Sequence, residues 1–289
     1  KWIWLERSRT SVAEQALSAL TAVAAAELIR SRQLSSEELV RALLKQVERT
    51  EPRVQAWQTL DAEGALAAAR LADGARAETP LHGVPYGLKD IYYSAGLKTT
   101  ASFAPFANFV PERDAEASAR LKRAGAILLG KTVTTQFALA DPPKTANPWN
   151  TDHTPGGSSS GSAAAVAARQ VPFALGTQTA GSVLRPAAFC GVVGFKPSFG
   201  LISRQGIFPL AWTLDHVGVL CRSVEDAALA RQCMAGSDPL DPWSAQSLVR
   251  DYLGGARTQR AAPPVLGLVR DFIDRSDPAV KTQVQNAVK

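Results

Sequence analysis

The chain has 289 residues, with 32 Lys and Arg against 26 Asp and Glu, a formal net charge of +6. Hydrophobic residues at 46% and charged residues at 20% exclude an intrinsically disordered chain, which carries too little apolar surface to offset the entropy of ordering. Three cysteines, Cys190, Cys221 and Cys233, are too few for a disulfide framework and fit no metal-ligand spacing, and reduced thiols point to the cytoplasm.

The basic residues are scattered among acids, so the positive balance reads as a mixed solvated surface and not as a nucleic-acid footprint. No segment reaches the roughly 18 apolar residues of a membrane span. The first nine residues, Lys1 to Arg9, hold no apolar core of the secretion-signal kind, so no membrane partner is expected.

Along the chain, Ala and Leu at helical spacing predict a helix from Val12 to Ile29. Ser35 and Glu38 form a capping box ahead of a second helix with Leu39, Leu43, Leu44 and Val47 as its stripe. An Ala-rich third helix is expected from Asp61 to Ala75. Gly83 to Tyr93 reads as a short strand and its exit loop, Asp114 to Arg123 as a helix, and Ala126 to Leu129 as a buried strand. After a Gly/Ser loop at 156–162, Ala163 to Arg169 reads as a helix and Pro172 to Gly176 as a strand. Ser223 caps a helix running to Met234, Val265 to Val269 reads as a late strand, and a last helix opens at Asp277-Pro278. Helices alternating with short apolar strands predict an α/β fold, a sheet covered on both faces.

Three motifs compete for the chemistry. Gly125-Ala-Ile-Leu-Leu-Gly-Lys-Thr132 matches the P-loop pattern, but its four middle residues are themselves the strand, and Val133 with two threonines starts a helix poorly. Gly157-Ser-Ser-Ser-Gly161 matches a nucleophile elbow centred on Ser159, but the segment before it holds Pro148 and Pro155 and reads as a loop, not the strand an elbow needs. Adjacent Asp215 and His216 also point to opposite faces of an extended chain.

The third motif covers far more residues. Gly156-Gly-Ser-Ser-Ser-Gly-Ser162 leads through a strand into Gly176-Thr-Gln-Thr-Ala-Gly-Ser182, then Pro186-Ala-Ala-Phe-Cys-Gly191 and Gly194-Phe-Lys-Pro-Ser-Phe-Gly200. With Gly83-Val84-Pro85, Lys89-Asp90, Asn147-Pro-Trp-Asn150 and Ser223-Val-Glu-Asp226, this order resembles the amidase signature family from near Leu28 to the end of the chain. The resemblance implies a mixed β-sheet between α-helical layers and a Ser–cis-Ser–Lys triad formed by Ser182, Ser158 and Lys89. Ser182 would be the nucleophile, Ser158 the proton relay held by a cis peptide, and Lys89 the base, neutral through burial. Backbone N–H groups of Thr179, Ala180 and Gly181 would bind the oxyanion.

The chain departs from the family at Gln178, where an acid is usual, and at Leu184, where an arginine is usual; losing both charges together reads as the loss of an ion pair. Arg185 is expected to face elsewhere, and Cys190 to be packing. Relative to the family the chain is expected to be C-terminally short. One amidase-signature domain over 1–289 is expected: a helical layer over 1–80, a catalytic core over 81–236, and a connection with the start of a C-terminal part over 237–289. The expected activity is cleavage of a linear amide through an acyl-serine, with a small-molecule amide as partner and neither metal nor organic cofactor. The alternatives are an amidotransferase A-subunit, which alone would bring in nucleic acid as a partner, and a degenerate scaffold. A homodimer is compatible with the reading.

Overall fold

The computed structural model describes residues 16–245, 249–259, 262–265 and 267–288. The described residues up to Ala256 form one compact unit and those from Arg257 a second. The second unit carries helices Arg270–Asp274 and Pro278–Val288, joined by an ion pair of 2.8 Å between Lys281 and Asp274.

Six strands make one mixed sheet in the larger unit: β1 (Trp57–Leu60), β2 (Pro85–Lys89), β3 (Ile127–Thr132), β4 (Phe173–Gln178), β5 (Val193–Phe195) and β6 (His216–Cys221), in the order β1-β3-β2-β4-β6-β5. β2 runs parallel to both β3 and β4; β1, β6 and β5 add antiparallel at the flanks. Side-chain alternation sends Phe173 and Leu175 to one face and Ala174 to the other. In β6, Val217, Val219 and Cys221 share the first face while Leu220 takes the second.

Helices cover both faces, as the α/β expectation requires. On the first lie α1 (Ala22–Arg30), α4 (Glu116–Arg123) and α7 (Val224–Met234). On the second lie α3 (Ala62–Asp73), α5 (Ser160–Ala167) and α6 (Leu184–Cys190). Helix α2 (Ser36–Val54) gives Leu39 and Leu43 to one core and Val40 and Val47 to the other. Its capping box is complete: Ser35 Oγ accepts from the Glu38 N–H, and Glu38 accepts from the Ser35 N–H.

Several boundaries differ from the sequence reading. The helix expected from Val12 to Ile29 is interrupted: residues 16–18 are helical, the helix breaks at 19–21, and α1 starts afresh at Ala22, capped by Thr21; Val12 to Gln15 lie outside the described residues. Val265 to Val269 is not a strand among the described residues: Val265 is fully exposed with no neighbouring strand to pair with, and Leu266 lies outside them. The P-loop match is a strand, as argued: residues 127–132 are β3, and Lys131 is fully buried. Its amine donates to the Tyr92 carbonyl and Thr99 Oγ1, both at 2.6 Å, and pairs with Asp90 at 3.2 Å, so it is not free for a phosphate.

Candidate active site

Parallel neighbours end at the same edge of a sheet, so Lys89, last in β2, and the loop after β4 share one location. Ser158 reaches this place from the approach to α5, whose all-small sequence Ser-Gly-Ser-Ala-Ala-Ala-Val-Ala lets the helix lie directly on the sheet. Gly161 is the tightest contact, since a Cβ there would meet the Ala56 carbonyl at 2.2 Å and the Val133 nitrogen at 2.4 Å. Ser162 Oγ donates to the Leu175 carbonyl at 2.9 Å.

Lys89 Nζ lies 2.7 Å from Ser158 Oγ and 2.9 Å from Thr177 Oγ1. It is fully buried and forms no ion pair among the described residues. Burial drives its pKa well below the ordinary 10.5, and the Asp215 carboxylate pulls weakly the other way. The Gly157–Ser158 peptide is cis.

Ser182 stands on the turn between β4 and α6, nearly buried, and its hydroxyl has no hydrogen-bond partner among the described residues. The Ser159 N–H donates to the Ser182 carbonyl at 3.2 Å, which sets the two serine loops side by side. The N–H groups of Thr179, Ala180 and Gly181 likewise meet no acceptor among the described residues. Ala180 avoids the left-handed region, so the methyl group in place of a glycine is accommodated.

Ser159, the elbow candidate, is committed elsewhere. Its hydroxyl donates to the Thr177 carbonyl and accepts from the Thr177 N–H, both at 3.2 Å, and it is fully buried. His216 is tied through Nδ1 to the Leu214 carbonyl at 2.6 Å. Cys190 is buried, its thiol pushed up to about 12 by burial, and its Sγ–H points at the Pro155 carbonyl; it packs, as expected.

Three features escaped the sequence reading. Thr177 is the second partner of the lysine; a hydroxyl near the end of a strand, next to the loop expected to carry Ser182, is the signal for it. Asp215 accepts from Thr179 Oγ1 at 2.5 Å and from the Leu210 and Ala211 N–H groups, so it ties the 210–215 loop to the loop after β4. That loop, with Phe208, Leu210 and Trp212, lines a cleft that reaches Thr177 and Thr179. Arg185 does not face elsewhere: its Nε and Nη2 donate to the Gly157 carbonyl at 2.9 and 2.7 Å. The geometry of helices held the clue, because first-turn side chains lean back over the residues that precede the helix.

Gln178 and Leu184 do not meet through their side chains. Gln178 Oε1 accepts from the Val183 and Leu184 N–H groups at 2.8 and 2.9 Å, capping the start of α6, while the Leu184 side chain is 47% exposed.

The whole arrangement sits within a segment that matches the Amidase family model over residues 38–289. The chain belongs to the amidase family. It is 41% identical over 280 residues to the glutamyl-tRNA(Gln) amidotransferase A-subunit of Roseiflexus castenholzii, covering 93% of this chain and 57% of that relative. Among solved structures it superposes on the peptide amidase of Stenotrophomonas maltophilia with a TM-score of 0.76 at 36% identity, covering 82% of this chain and 52% of that one. A 6-aminohexanoate cyclic dimer hydrolase matches with a TM-score of 0.76 at 36% identity, over 84% of this chain and 52% of that one. The chain thus spans little more than half the length of these relatives. No described helix is long and apolar enough to cross a membrane.

Proposed function

We propose that the protein cleaves a C–N amide bond through an acyl-Ser182 intermediate. The observation that carries this reading is the buried amine of Lys89, within hydrogen-bond reach of Ser158 and without a counter-ion among the described residues. Burial favours the neutral amine, and a neutral amine accepts a proton. In that state the Ser158 O–H donates to Lys89 Nζ, and Ser158 Oγ is free to receive a proton in turn. Ser182 then loses its proton to Ser158 as it attacks the amide carbonyl, and Lys89 takes the proton from Ser158. The oxyanion is received by the unengaged N–H groups of Thr179, Ala180 and Gly181. Returning along the same relay, the proton reaches the leaving nitrogen, and water releases the acyl group.

A second reading has support from the relatives: an amidotransferase A-subunit, which transfers the amide nitrogen to a partner-bound acceptor instead of losing it. Co-purification of a second subunit, with nitrogen passed to charged tRNA, favours that reading. Both share the acyl-serine step, so one experiment tests the common core. A fluorophosphonate probe should label the protein at Ser182, and Ser182→Ala should abolish labelling and turnover of an amide panel while leaving the melting temperature unchanged. Labelling at another residue, or activity in Ser182→Ala within about tenfold of the native protein, overturns it.

A further inference from the structure

Two loops meet at this site. One, 156–158, carries the relay serine; the other, 179–182, carries the nucleophile. Their relative placement to within a fraction of an ångström decides whether a proton can pass between the two hydroxyls. The backbone contact from Ser159 to Ser182 lies on the far side of Ser158 from Gly157. Something else must orient the peptide that precedes Ser158.

Arg185 touches both loops. Its backbone N–H donates to the Gly181 carbonyl at 2.8 Å, one residue before the nucleophile. Its guanidinium reaches back and places Nε and Nη2 on the Gly157 carbonyl, one residue before the relay serine. Both donors of one guanidinium edge converge on one oxygen, and the fork fixes the direction of the carbonyl. The backbone around it is closely seated too: a Cβ at Gly156 would lie 3.0 Å from Pro186 Cα and 3.2 Å from its nitrogen. The start of α6 therefore supplies a surface against which residues 156 and 157 rest, and Arg185 supplies the polar contact that fixes their rotation. Neither Leu184 nor Gln178 can do this, since the first side chain carries no hydrogen-bond donor and the Oε1 of the second is occupied by the Val183 and Leu184 N–H groups.

We propose that Arg185 is a positioning residue for the relay: by fixing the Gly157 carbonyl it sets the Ser158 hydroxyl between Lys89 and Ser182. The inference rests on the acyl-serine reading for its catalytic meaning, and on the contacts alone for its structural one. The test pairs a rate with a structure. Arg185→Met keeps the stem and removes every donor; Arg185→Lys keeps the charge and one donor. Crystal structures of both, with the rate and affinity constants of fluorophosphonate labelling, separate the outcomes. In Arg185→Met, Ser158 Oγ should leave Lys89 Nζ by more than about 3.2 Å. The maximal labelling rate should fall about ten- to a hundredfold at unchanged probe affinity. Arg185→Lys should recover part of the rate, which a loss of fold would not show.

An unchanged Lys89–Ser158 contact with an unchanged maximal rate overturns the proposal. So does a loss confined to the KM of carboxylate-bearing amides, which would make Arg185 a substrate anchor. If the native protein is not labelled at all, yet Ser158 is displaced in Arg185→Met, the positioning role stands and the acyl-serine reading falls.

Discussion

A lysine amine in a protein interior has two ways to be tolerated, a carboxylate partner or the loss of its proton. This chain shows both within one sheet. Lys131 keeps Asp90 at 3.2 Å and is lowered only to about 8, burial outweighing the attraction of the aspartate. Lys89 has hydroxyls and no ion pair among the described residues, and burial holds it well below 10.5. The contrast places Lys131 in the structure at the exit of β2 and, on the proposed reading, leaves Lys89 for proton transfer. Its consequence is a pH profile. A general base works only when unprotonated, so kcat/KM should rise with pH and level off, with a midpoint below the ordinary lysine value of 10.5. Lys89→Met should lower the plateau and erase that limb. A limb with the same midpoint in the variant would show that another group titrates. At this scale the sequence was informative because order and spacing of Lys89, Ser158 and Ser182 follow one family pattern. Arg185 was not legible, because a position next to a familiar motif gives no direction for a side chain until the short helix after it is placed.

At the scale of elements, the sequence showed what had a periodic face or a cap and hid what did not. The capping box at Ser35 and the Ser223 cap gave helix starts, and the Ser223 helix ends at Met234 as read. β1, β5 and β6 were missed: β1 is four residues long and β5 three, and β6 follows directly on the loop that holds Asp215. Val265 to Val269 has the strand composition, but its described residues pair with no strand among the described residues, and composition alone does not make a strand. Helix α5 begins at Ser160, inside what reads as a Gly/Ser loop, because its serines and Gly161 are chosen for closeness to the sheet and not for helix propensity. That choice gives a prediction. Gly161→Ala improves intrinsic helix propensity, yet the added methyl would sit 2.2 Å from the Ala56 carbonyl and must push α5 off β3. A destabilisation of about 1–3 kcal/mol is expected by urea unfolding. Because Ser158 precedes this helix, labelling of Ser182 should slow as well. A neutral or stabilising result would mean that the helix stands further from the sheet than the structure places it.

Across the whole molecule, the buried titratable groups add up to a defined dependence of stability on pH. Stability rises with pH wherever the unfolded chain holds more protons than the folded one. Lys131 is about 8 folded and 10.5 unfolded, and Lys89 lies well below 10.5 when folded. Between those folded values and 10.5 the unfolded lysines keep protons that the folded ones have lost, so both push stability up with pH. Each contributes a slope of about 1.4 kcal/mol per pH unit where the difference is a full proton. The thiols oppose them. Burial raises Cys190, Cys221 and Cys233 from 9.0 to about 12, so above pH 9 the unfolded thiols ionise while the folded ones do not. Tyr86 and Tyr92, also raised by burial from 10.0, add to the fall beyond pH 10. Two rising contributions meet three and then five falling ones, and the balance changes sign at about pH 9. Urea unfolding of the protein under reducing conditions, followed from pH 7 to 10.5, should therefore show stability climbing to a maximum near that value and dropping steeply past it. Lys89→Met removes one of the two rising groups and should flatten the climb by about one proton's worth of slope, leaving the alkaline fall in place. If the native profile is flat between pH 7 and 9, or if the variant climbs as steeply as the native protein, Lys89 is not the neutral buried amine on which the proton relay depends.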